Sequence, residues 1–247
     1  KTKENWEIMN KLTKFLTATT VAAFLSTPSH SGEGMTGLSI GVVGMESEFT
    51  TVGKEIRGST GALVGQTQGS VTGSGEIIKD VDIGSVFIEY TQAEGIGMMT
   101  MGLEYIPGEA EIGTKSRTDD NEVDTDDGTY TAKAEVSDYI SAYVEPGFVL
   151  ADWLGIYGKV GVSSVKVDTL ESIDIGSDSS SYGDKRIYGG MLGLGIKVQS
   201  PWGIFVKAEA TRNRYQKIKM KSTTGNKNTI EAQPEMDAVR FALGFNF

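Results

Sequence analysis

Eight charged side chains in this 247-residue chain, Glu89, Glu104, Glu145, Lys159, Lys197, Lys207, Glu209 and Arg240, stand among apolar and small residues, where an unpartnered charge is costly. Carboxylates and cations gathered in this way can do general acid–base work, line a pore, or neutralise one another as filler. Acid–base chemistry lacks its usual agent: the chain has a single His, His30. With no Cys there is no thiolate nucleophile, thiolate metal site or disulfide. Neither G-x-S-x-G nor a P-loop occurs. A literal G-x-G-x-x-G is present at 32–37 (GEGMTG), but a dinucleotide site needs a strand before it and a helix after it, and here a strand-like pattern follows. That stretch reads as a flexible N-terminal segment. The segment 119–128 (DDNEVDTDDG) holds six acids in ten residues, yet misses the EF-hand alternation and reads as a solvated loop with at most weak affinity for divalent cations. No catalytic residue, cofactor or resident metal is therefore expected. The balance of 23 basic against 33 acidic side chains, a net charge of −10, argues against nucleic-acid binding.

The elements that must position the eight charges begin after a targeting signal. No stretch reaches the roughly 18 apolar residues of a membrane-spanning helix. Met9, Lys11 and Lys14 precede a short apolar run at 15–25 (FLTATTVAAFL), and Ser29 and Ser31 follow in a zone of small residues. This is the order of a secretory signal peptide, 9–31, with 1–8 as an upstream extension and cleavage before Gly32. An amphipathic core helix would need a 3.6-residue apolar period, which the run lacks. Cleavage there removes His30 and leaves 19 basic and 31 acidic side chains, a net −12.

Residues 32–247 alternate with period 2 almost throughout, the mark of strands. Eight strands are expected, near 37–46, 83–92, 97–112, 135–150, 155–169, 186–199, 203–219 and 235–247. Their connections alternate between short turns (93–96, 151–154, 200–202) and long polar segments (47–82, 113–134, 170–185, 220–234). Short turns at one end and long loops at the other describe a transmembrane β-barrel with an even number of strands. The eight charges all fall out of phase with the apolar face of their own strands, whose members include Ile88, Tyr90, Met101, Leu103, Val144, Val160, Ile196, Val206 and Phe241. The apolar phase therefore meets lipid and the charged phase fills the lumen. A soluble lipocalin-type barrel reverses this arrangement, and four acids with four bases would spoil its apolar cavity. Gly193, Gly195 and Gly244 share the charged phase, as an interior only just wide enough for side chains requires. Tyr90, Tyr105, Trp153 and Trp202 fall near strand ends, where aromatic girdles form.

The segment 142–161 (AYVEPGFVLADWLGIYGKVG), the SPWG turn at 200–203 and the terminal FALGFNF resemble the small outer-membrane β-barrels of Gram-negative bacteria, of the opacity-protein, OmpX and OmpA-barrel type. The resemblance implies an eight-stranded antiparallel up-and-down barrel, monomeric, surrounded by outer-membrane lipid and lipopolysaccharide, with its termini in the periplasm and four loops outside. It implies that Phe245 and Phe247 form the sorting signal read by the barrel-assembly machinery. It points to a non-enzymatic role, in which the loops meet the envelope or an extracellular ligand, as in adhesion. A narrow or gated pore, and a lipid-modifying enzyme of this membrane, are the alternatives; the second lacks a His in the mature chain.

Overall fold

The computed structural model describes residues 32–56, 58, 71–119, 128–173, 182–223 and 227–247. The expected signal segment 9–31, the extension 1–8 and all but the ends of the acidic segment 119–128 lie outside the described residues. A short 3-10 turn, Gly32–Met35, leads into β1 (Gly37–Ile56), β2 (Val71–Glu94), β3 (Gly97–Asp119), β4 (Gly128–Ala151), β5 (Leu154–Ile173), β6 (Asp184–Gln199), β7 (Ile204–Tyr215), β8 (Ile218–Lys221) and β9 (Thr229–Asn246). From β1 to β7 each strand pairs antiparallel with the next, β7 pairs with β9, and β1 closes on β9 from Ser39↔Asn246 to Ile56↔Thr229. Strand β8 continues β7 along the same face of β9, after a one-residue slip between the Arg214↔Glu235 and Ile218↔Ala232 pairs. The wall is thus an eight-stranded, all-antiparallel closed barrel.

The outward phase is apolar over one band. Leu38, Ile40 and Val42 on β1 continue into Val86, Ile88 and Tyr90 on β2, and across the barrel Val162, Leu192 and Leu194 are 65%, 64% and 73% exposed. In water so large an apolar surface would drive association; around a barrel it is a lipid-facing belt. Trp202, Tyr90, Phe148 and Phe247 mark one edge of the belt, and Tyr105 and Tyr188 mark the other. At the first edge lie the tight turns, including the one in which Gly203 (φ 85°) donates its N–H to the Ser200 carbonyl at 3.1 Å.

Beyond the other edge, two of the segments expected as long loops, 47–82 and 113–134, are mostly strand. β1 runs to Ile56, β2 starts at Val71, and β3 and β4 reach Asp119 and Gly128. The charges that suggested loops belong mainly to the outward phase. Inward, Phe49, Ile112, Val167 and Ile187 are buried. Outward, ladders of opposite charge brace neighbouring strands: Arg212 grips Asp237 through two 2.6 Å bonds, and Lys166 joins Asp168 at 3.0 Å to Asp184 at 2.8 Å. The barrel therefore rises well above the belt as a charged rim.

Candidate functional site

Seven strands deliver the eight charges to one level of the interior: Glu89 from β2, Glu104 from β3, Glu145 from β4, Lys159 from β5, Lys197 from β6, Lys207 and Glu209 from β7, and Arg240 from β9. All are at most 5% exposed. Lys159 Nζ lies 3.1 Å from both oxygens of Glu209 and 3.1 Å from Glu145 Oε1. Lys207 Nζ donates to Glu145 Oε2 at 2.7 Å and to Glu89 Oε2 at 2.9 Å. Arg240 Nη2 donates to Glu104 Oε2 at 2.6 Å, and its Nε lies 3.0 Å from Glu209 Oε2. Lys197 is held differently. Its nearest carboxylate oxygen, on Glu89, is 3.8 Å away, and its ammonium sits 4.1 Å above the centre of the Phe205 ring.

Sequence reasoning could name these eight residues but not their partners, because only Glu209 and Arg240 are direct cross-strand neighbours and Lys197 faces the like-charged Lys207. It also missed three members. The Tyr143 hydroxyl donates to Glu89 at 3.1 Å, the Tyr157 hydroxyl to Glu209 at 2.8 Å, and Ser85 to Glu104 at 2.5 Å. A signal for the aromatics was present in the glycines. Phe87 is paired with Gly41, Tyr143 with Gly102, Tyr157 with Gly195, Phe205 with Gly244 and Tyr215 with Gly189. A methyl group on any of these glycines would come within 2.3 to 2.7 Å of its partner's ring. Each ring lies flat over the bare backbone opposite, the arrangement by which an aromatic covers a strand glycine. The glycines thus supply particular seats rather than general room.

Below the charged level the mouth at the tight-turn end is filled. Met35 is fully buried with Ala93, Met98, Val149 and Tyr157, the Gly34 carbonyl accepts from Gln199 Nε2 at 2.5 Å, and the Ala93 N–H donates to Thr36 Oγ1 at 3.0 Å. The segment 32–37, expected as flexible, is a bonded stopper because its one large apolar residue finds the barrel's own floor. Above the charged level the lumen is not the filled polar interior expected from the charges. It turns apolar, with Phe49, Ile112, Tyr139, Val165, Ile187, Tyr215, Ile218, Met220 and Met236 in one cluster. Most of these residues lie on strands expected from the sequence, and Phe49 and Met220 lie on strand segments that the sequence suggested were loops.

Outside the belt, the rim charges are tuned by contact. Glu231 receives Lys217 at 2.9 Å, Lys219 at 3.2 Å and Lys54 at 3.4 Å, and these bonds, Lys217's first, hold its carboxyl down at about 2. The Thr114 hydroxyl, with Lys133 and Lys79, likewise holds Glu111 below the usual carboxylate range. Among the described residues no three acids or His gather as a metal site.

Phe245 and Phe247 stand on the lipid side of β9 and just beyond its end, with ring centres 5.0 Å apart, edge to face. Neither protein-family models nor curated protein sequences match the chain. Among solved structures it is similar to the attachment invasion locus protein Ail of Yersinia pestis, at 10% identity over 83% of this chain and 99% of that one, with a TM-score of 0.33. It is similar to Neisserial surface protein A (12% identity, 83% and 97% covered, TM-score 0.35) and to the outer membrane protein OprG of Pseudomonas aeruginosa (13%, 84% and 97%, 0.39). The chain's own geometry carries the structural conclusion. Closed antiparallel strands, an apolar belt, aromatic edges and tight turns at one end make it a barrel of the outer-membrane type.

Proposed function

We propose that this protein is a closed, non-enzymatic and monomeric outer-membrane anchor that holds a rigid, charged rim outside the membrane, for contact with lipopolysaccharide or an extracellular ligand. One observation supports this above the others: each of the eight lumenal charges lies within 3.8 Å of an opposite charge, and the set sums to zero. Paired charges fill an eight-stranded lumen; a conducting channel would favour solvated, unpaired ones and more strands. The rim adds what a contact surface needs, a rigid scaffold beyond the lipid. Purified protein in planar bilayers is expected to show no steady current, and Arg240→Ala to show current bursts as Glu104 loses its cation. Large, stable currents from the unmodified protein would overturn the reading. A narrow, gated pore is the second reading, favoured by Lys197, the charge with the loosest hold. We further assign 9–31 to a signal peptide; the mature protein's mass should place its start within a few residues of Gly32.

A further inference from the structure

The barrel wall has a window. The β2–β3 ladder runs from Glu94↔Gly97 up to Val86↔Tyr105 and stops there, although β2 stays paired with β1 as far as Val71 and β3 with β4 as far as Asp119. Strand β3 veers away at Gly108 (φ 98°), where its register with β4 shifts between Ile106 and Glu109 and again between Glu111 and Gly113. The two edges meet again higher up. Lys79 bonds Glu111 at 3.3 Å, and a methyl on Gly113 would lie 3.2 Å from the Ile77 side chain. Residues 78–85 and 106–112 thus frame an opening whose sill is Val86 and Tyr105, which face lipid. The opening is set at the outer edge of the belt.

Behind it is a cavity of about 480 Å³, within the range of small-molecule sites. Its walls are Phe49, Ile112, Tyr139, Ile187, Tyr215 and Met236, one from each of six strands, and Tyr139 stands within electrostatic reach of the Glu104–Arg240 pair of the ion-paired level. Strand edges with unpaired backbone are tolerated beside lipid only where they line such a cavity. The frame carries Asp80, Asp82 and Glu109 in addition to the Lys79–Glu111 pair, so an anionic head group meets an acidic entrance.

From these features we infer that the chamber is a binding site for an uncharged molecule with a hydrocarbon chain, admitted sideways from the outer leaflet through the β2–β3 window and stopped by the charged level. The hydrocarbon could arrive as a free solute or as the chain of a neighbouring membrane lipid. The site stands apart from whatever the rim contacts.

The test is photo-crosslinking of the full mature protein in lipid nanodiscs. One arm adds free dodecanol bearing a diazirine on its chain, another the matching dodecanoate, and a third builds the disc with a diazirine-tailed phosphatidylcholine; adducts are mapped by peptide mass spectrometry. Adducts on Phe49, Ile187 or Tyr215 from the alcohol identify a solute site, and from the phosphatidylcholine a lipid-chain site; either supports the inference. Dodecanoate should label these residues about tenfold less, and Asp80→Asn with Asp82→Asn should narrow that gap. Ile187→Trp, which fills the cavity, should abolish chamber adducts while those on Leu192 and Leu194 persist, showing that the barrel is intact. Adducts confined to the belt, chamber labelling unchanged by Ile187→Trp, or equal labelling by alcohol and carboxylate would each overturn it.

Discussion

Arg240 and Lys197 show how differently two buried cations can be held at one level of a lumen. Among the described residues Arg240 is the cation on Glu104, so Arg240→Ala leaves a carboxylate buried with only Ser85 for company. Breaking a buried pair from one side typically costs about 3–5 kcal/mol, and that loss is expected in urea unfolding of the reconstituted protein. Lys197→Met should cost less than about 1 kcal/mol, because Glu89 keeps Lys207 at 2.9 Å and Tyr143 at 3.1 Å while the new side chain still covers Phe205. Equal losses would show that the distances misstate the network. On the rim, Glu231 offers a pH test. Its carboxyl, normally near 4.5, is held at about 2 by Lys217, Lys219 and Lys54. A depressed acid contributes stability in full above its unfolded value and loses it as pH falls through the folded one. The lysine clamp should therefore persist at pH 4 and release near pH 2, followed by the Glu231 carboxyl carbon in an NMR titration; a midpoint near 4.5 would mean that the clamp does not form.

At the scale of elements, the ring-over-glycine pairs make register a matter of shape. Gly102→Ala would drive a methyl to 2.4 Å from the Tyr143 ring, disturbing both the β3–β4 seat and the bond to Glu89. Overpacking of this kind costs about 1–3 kcal/mol. Gly44→Ala, with nothing within 4 Å of the added methyl, should change stability by less than about 0.5 kcal/mol. Unfolding midpoints of the two variants make the comparison, and similar values would remove the idea of seats. The sequence showed which residues face inward over most of each strand, because period 2 is broken only at bulges such as those in β3 and β4. It did not show which rings meet which glycines, since register is set by pairing across strands and by bulges such as the one at Asp138 (φ 50°). Nor did it reveal the upper ends of β1 to β4 and of β9. Outward Asp, Glu and Lys lower the mean hydropathy of 47–82 and 113–134 to that of loops, while Phe49, inside the first of these segments, points inward and joins the core.

For the whole molecule, the eight lumenal charges were legible as a set because an out-of-phase charge stands out against a lipid-facing strand. The chamber above them was hidden, because it arises where two neighbouring strands stop pairing, which no single strand's pattern records. We propose that Phe245 and Phe247, exposed together at the belt's lower edge, are the patch presented for assembly. Phe247→Asp should sharply reduce the fraction of heat-modifiable, membrane-inserted protein in cells, and undiminished insertion would dismiss that role. The seam between β1 and β9 has a kinetic consequence. Ser39 bonds Asn246 at 3.0 Å across 207 positions, and the whole β1–β9 ladder is built from such distant contacts. A fold whose sealing contacts are the most remote in sequence closes slowly. Through synthesis and transit the first strand waits with an open edge for a last strand that does not yet exist, so the interval before closure is when this chain is most exposed to wrong pairing.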